Sequence, residues 1–287
     1  MCDEFIHPGL VEDQRLSRRG FGAMTVAAAA VATTAYAQSN VVEKDVEVKT
    51  PDGTCDAVLF YPQGQGTSSA VLIWTDILGL RPAFRDMGRR LAGQGHVVLV
   101  PNPFYRSAHG TVVGATFDFN NPEQRNRLFG YRAAMSDDGI DKDAIAYLAF
   151  LDAQPQTNKN RKAGVQGYCM GGALSFRTAA AVPNRIAAVG SFHGGNGLVT
   201  KDANSPHLLI PKTKATWLVC QAQNDDAMQP KVKDDLKAAF GAAKVSATVE
   251  VYHADHGWCV PGGQVYNMAE AERAWTALGG LYKSTLA

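Results

Sequence analysis

The segment Gly167-Tyr168-Cys169-Met170-Gly171-Gly172 constrains the fold more than any other stretch of the chain: a strand, a sharp turn carrying one cysteine, then a helix. A turn of this kind lifts a nucleophile clear of a sheet and holds it at a helix N-terminus. The turn leaves no room for side chains at Gly167 and Gly171, and Gly172 lets the helix pack close to its strand. Serine is the usual corner residue, and here it is cysteine.

The rest of the chain supplies a sheet for that corner. β-Rich runs recur at 41–48, 56–61, 70–74, 97–100, 163–166, 186–192, 215–220 and 248–252. Those from Ala70 onward are nearly all apolar, as strands buried on both faces of a mostly parallel sheet should be. Helical patterns fall between them at 82–92, 138–153, 170–181, 230–242 and about 265–282, and Ile145, Leu148 and Ala149 share the spacing of one helix face. This alternation predicts an α/β domain, a doubly wound, mostly parallel sheet of about eight strands with helices on both faces. Pro51-Asp52-Gly53 predicts an antiparallel hairpin at its start. The polar span 107–127 reads as a long excursion, a lid or binding loop rather than a linker. With no repeat and no interdomain linker, residues 38–287 are expected to form one domain, and 46% apolar composition suffices for its core.

Residues 1–37 are expected to lie outside that domain. Ser17-Arg18-Arg19-Gly20-Phe21-Gly22, an apolar stretch from Ala23 to Ala35 and the small-x-small site Ala35-Tyr36-Ala37 together resemble a twin-arginine export signal, cleaved before Gln38. The apolar stretch is too short to span a bilayer, so a periplasmic protein without stable membrane insertion is expected. A balance of 28 basic against 27 acidic residues argues against nucleic-acid binding. In an oxidising compartment Cys55, Cys220 and Cys259 allow at most one disulfide once Cys169 is set aside, or they are buried, inert thiols.

Acyl transfer needs a nucleophile, a base, a group that orients the base, and oxyanion donors. In an α/β-hydrolase the chain order is nucleophile, acid, histidine. Run 215–220 leads into Gln221-Ala222-Gln223-Asn224-Asp225-Asp226, with Asp225 the preferred acid and Asp226 the alternative. Run 248–252 leads into His253-Ala254-Asp255-His256-Gly257-Trp258, where His256, before a glycine, is the expected base and His253 structural.

These three stretches resemble the motifs of the dienelactone hydrolase (carboxymethylenebutenolidase) family, over nearly the whole chain from Val41. The resemblance implies hydrolysis of ester or lactone bonds through a Cys169–His256–Asp225 triad and a thioester, on a small-molecule substrate, with no metal and no cofactor, by a monomer or weak oligomer. Carried over, the oxyanion donors are the backbone N–H groups of Met170 and of Ile77, in the loop after run 70–74. Asp76 stands where the family commonly has a glutamate that contacts the thiol, and is expected to modulate it.

For the substrate, Arg106 matches a family contact position and Arg81 is a second candidate. The family's arginine four residues after the histidine is Val260 here, so a less charged ester enters consideration, with Tyr105, Trp258, Phe192 and His193 as pocket-lining candidates. The alternative function is a thiol redox or oxidant-sensing protein using Cys169, for which no CxxC pair exists.

Overall fold

The computed structural model describes residues 41–64, 66–114 and 117–286; the expected export signal at residues 1–37 lies outside the described residues. Eight strands form one sheet: β1 (Val41–Thr50), β2 (Gly53–Pro62), β3 (Ala70–Trp74), β4 (Val97–Pro101), β5 (Ala163–Tyr168), β6 (Ile186–Phe192), β7 (Thr216–Ala222) and β8 (Ala247–Tyr252), in the order β1-β2-β4-β3-β5-β6-β7-β8. β1 and β2 form the expected hairpin, closed where Thr50 faces Gly53. β2 also runs antiparallel to β4, and all the remaining pairs are parallel. The strand order reverses between β3 and β5, one going on to β4 and the other to β6. Crevices open at the carboxyl ends of strands at such a switch point, and the loop after β3 and the cysteine corner after β5 both emerge there.

Side chains alternate across the sheet. On one face Val71, Ile73 and Leu218 pack against Phe84 and Leu91 of α1 (Pro82–Gly93) and Leu278 and Tyr282 of α7 (Met268–Thr285). On the other, Leu72, Val165 and Val219 pack against α3 (Asp137–Asp152), α4 (Met170–Ala181) and α6 (Lys231–Ala243) through Leu151, Phe176 and Phe240. Burying each such large side chain contributes roughly 1.5–3 kcal/mol, so the central strands are fixed from both sides.

Two local expectations are corrected. The excursion at 107–127 runs into a helix, α2 (Pro122–Ala133), whose N-cap Asn121 accepts hydrogen bonds from the N–H groups of Glu123 and Gln124. The Asn-Pro pair was a legible start signal, but α2 buries only Leu128 and so carries no apolar stripe. On α3 the buried face runs through Ile140, Asp143, Ala144, Tyr147, Leu148 and Leu151, while Ile145 is 53% exposed and Ala149 is exposed. That face is rotated because Asp143 and Tyr147 turn inward to make hydrogen bonds. Asp225 lies just beyond the end of β7, in a short helix, α5 (Gln223–Met228).

Candidate active site

Cys169 occupies the corner between β5 and α4 with φ of 53°, a left-handed conformation that costs a non-glycine residue about 1–3 kcal/mol. Its N–H donates to the Phe192 carbonyl at 3.0 Å. A β-carbon on Gly167 would lie 1.9 Å from the Gly171 carbonyl oxygen, and one on Gly171 would lie 2.6 Å from the carbonyl oxygens of Trp74 and Thr75. The corner therefore closes only with glycine on both sides.

Asp225 Oδ2 lies 2.8 Å from His256 Nδ1. The neighbouring Asn224 joins the two loops: its Oδ1 accepts from the N–H of Asp225 at 3.0 Å and from the N–H of His256 at 2.9 Å. Asp226 points elsewhere, holding Lys233 at 2.7 Å, and His253 is exposed. Cys169, His193 and His256 bring one ligand atom each to within 4.8 Å of one another. Burial alone would depress the basicity of His256, but the charge of Cys169 and hydrogen bonds to Asp225 and Cys169 outweigh it and raise its pKa well above the ordinary histidine value.

A small cleft of about 30 Å³ opens over the cysteine. Ile77 and Met170 line it, and among the described residues their N–H groups donate to nothing. The rim includes Arg132 of α2, Met228 and Gln229. Arg132 escaped the sequence reading because it belongs to α2, the unexpected helix into which the excursion runs, and Asn224 because an asparagine after a strand reads as turn chemistry.

The residues expected around the substrate lie elsewhere. Arg81, 5% exposed, clamps the fully buried Asp76 with Nη1–Oδ1 of 2.6 Å and Nη2–Oδ2 of 2.8 Å, and the Leu78 N–H donates to the same carboxylate. The hydrogen bonds of Asp76 thus go to Arg81 and Leu78, none to Cys169. Arg106 spans Asp143 at 2.7 Å and Asp52 at 2.7 Å, and the Tyr105 hydroxyl donates to Asp143 at 2.7 Å while meeting Thr50 Oγ1. This network ties α3 to the β1–β2 hairpin. Trp258 is fully buried and stacked on Tyr252, and Phe192 is stacked on Tyr168. None of these six residues lines the cleft. Carboxylates and rings claim them instead, near in sequence for Arg81 and Trp258 and remote for Arg106, Tyr105 and Phe192. Val260 is buried as well.

His193 does reach the site. It is fully buried with φ of 38°, and its ring stands edge-on to His256 at 4.8 Å between centroids. Burial, with the charge of His256, depresses its pKa well below the ordinary value.

Cys55, Cys169, Cys220 and Cys259 are all free and buried, so no disulfide forms among the described residues. Burial pushes the thiols of Cys55 and Cys220 up to about 12 and that of Cys259 well above its usual range. Chemically these three are inert at neutral pH.

This sheet order, with a cysteine corner after β5, an acid after β7 and a histidine after β8, defines an α/β-hydrolase. The chain belongs to the dienelactone hydrolase family, whose profile matches residues 55–286. It is 31% identical over 187 residues to a carboxymethylenebutenolidase of Rhodococcus opacus, covering 65% of this chain and 68% of that one. A putative carboxymethylenebutenolidase of Saccharolobus solfataricus is 26% identical over 261 residues, covering 82% and 95% of the two chains. In fold, the chain is similar to the crystal structure of a putative dienelactone hydrolase from Klebsiella pneumoniae, with TM-score 0.73 and 20% identity over 85% of this chain and 98% of that one. By family, the protein is a hydrolase of carboxylic ester or lactone bonds.

Proposed function

We propose that the protein cleaves an ester or lactone through a Cys169–His256–Asp225 triad and a thioester acyl-enzyme. The observation that carries this reading is the 2.8 Å bond from Asp225 to His256 Nδ1, which leaves Nε2 to serve the sulfur. Cys169 Sγ attacks the carbonyl carbon, and the oxyanion is received by the N–H groups of Met170 and Ile77. His256 Nε2 passes its proton to the departing alkoxide. Water then attacks the thioester, giving a proton to Nε2, and the acid leaves as the sulfur is freed. In a lactone the alkoxide stays tethered to the acyl group, so one product results. Rapid acid quenching during turnover of an aryl ester should trap an acyl mass on the peptide bearing Cys169; turnover with that peptide always unmodified rejects the mechanism.

Arg132 supports a substrate with a carboxylate. It is the one lysine or arginine among the cleft-lining residues, and its guanidinium donates to the Met135 carbonyl at 3.2 Å and to no carboxylate among the described residues. A charge-assisted hydrogen bond contributes about 1.5–3 kcal/mol. Arg132→Ala should therefore raise KM for a carboxylate-bearing ester about 10- to 100-fold and leave a neutral ester of the same size nearly unchanged. An equal change for both substrates counts against the assignment.

The twin-arginine segment supports export to the periplasm. Protein recovered from that compartment should begin at Gln38; protein beginning at Met1 and confined to the cytoplasm refutes the proposal.

A further inference from the structure

His193 has no place in the hydrolytic mechanism. Both of its ring nitrogens are buried without a hydrogen-bond partner, whereas buried polar side chains are almost always paired. Its backbone is held by an N–H donated to the Cys220 carbonyl at 2.8 Å, at φ of 38°. Cys169, His193 and Lys244 are the non-glycine residues with positive φ among those described, so two of these strained positions belong to one cluster. Strain of this kind persists where the surroundings hold a side chain in a particular place.

We propose that Cys169, His193 and His256 form a binding site for a thiophilic transition-metal ion, zinc or copper(I), which reversibly locks the nucleophile. One sulfur and two imidazole nitrogens are the donor set that such ions favour. Their three ligand atoms already lie within 4.8 Å of one another. Zn–S bonds of about 2.3 Å and Zn–N bonds of about 2.0–2.1 Å in a tetrahedron place ligand atoms roughly 3.3–3.7 Å apart, so the site closes by an ångström or so. His193 breaks no hydrogen bond in closing. His256 binds through Nε2, because Nδ1 faces Asp225 at 2.8 Å, a carboxylate behind a ligating histidine being a common support for zinc. The cleft leaves the fourth position for water or chloride.

On binding, the proton shared by Cys169 and His256 passes to solvent, a metal–sulfur and two metal–nitrogen bonds form, and nothing is oxidised. The metal–sulfur bond draws charge from the sulfur and lowers its nucleophilicity, and His256 Nε2, bound to the metal, can no longer carry a proton to the leaving group. Inhibition rests on the reading of Cys169 as nucleophile, whereas binding stands independently of it.

The test uses the full, metal-free protein titrated with zinc chloride and with cobalt(II) chloride as a spectroscopic stand-in. One zinc should bind per chain, cobalt should give thiolate charge-transfer absorption, and imidazole 15N resonances of both His193 and His256 should shift. His193→Asn, which tolerates positive φ, should weaken zinc binding by at least about 10- to 100-fold, and Cys169→Ala should abolish the charge-transfer band. Should His193→Asn fail to fold, the resonances of the wild-type protein decide. No stoichiometric binding, a shift confined to His256, or an unchanged affinity in folded His193→Asn overturns the proposal. Binding without loss of ester turnover leaves the site standing and removes the nucleophile reading instead.

Discussion

Replacing Cys169 by alanine should lower kcat/KM for an aryl ester by about 10⁴- to 10⁶-fold while the protein still melts cooperatively. The size follows from nucleophile removal in other acyl-transfer enzymes, where members of a triad act as one unit and the residue left behind is binding and oxyanion stabilisation. The corner survives because its closure depends on Gly167 and Gly171 and on the N–H of residue 169, none of which the change touches. A second readout comes with the same variant. Burial lowers the His256 pKa and the charge of Cys169 is the largest cause raising it, so in the wild-type protein the imidazolium should persist well above pH 6.5. In Cys169→Ala its ring resonance should titrate at lower pH. A ring that titrates identically in both proteins contradicts the thiolate–imidazolium pair, and undiminished turnover contradicts the nucleophile.

Asp225→Asn should cost about 10⁴-fold in kcat, and Asp226→Asn should cost almost nothing. An amide at position 225 can donate to Nδ1, which turns the imidazole tautomer over and leaves Nε2 carrying the proton where a base is needed. Asp226 has its carboxylate on Lys233, a partly exposed pair of the kind that contributes about 0–1 kcal/mol. Kinetics of the two variants on one ester separate the roles; equal losses in both disprove the assignment.

The architecture was legible because the strands from β3 onward are short and nearly all apolar, a pattern that few alternatives satisfy. So was the candidate triad, since the corner glycines and the strand-end positions of Asp225 and His256 are local features. Partnership was not legible. Arg81 and Arg106 read as substrate cations until Asp76 and Asp143 are seen to claim them, the second across 37 residues of chain. The buried face of α3 was misjudged for a similar reason: Asp143 belongs to the core only because Arg106 and Tyr105 meet it there. α2 failed the other way, its Asn-Pro start being visible but its single buried leucine giving no periodicity. His193 was legible as a residue near the pocket, but its unpaired ring was not, because a missing hydrogen-bond partner is a fact about its surroundings.

One amide oxygen, on Asn224, holds the backbone of both the acid and the base. Only the second of these bonds crosses between the loops, beside the bond from the Gln223 N–H to the Ala254 carbonyl at 3.0 Å. Asn224→Ala should therefore loosen the histidine loop against the acid, and the loss should show in kcat before it shows in the melting temperature.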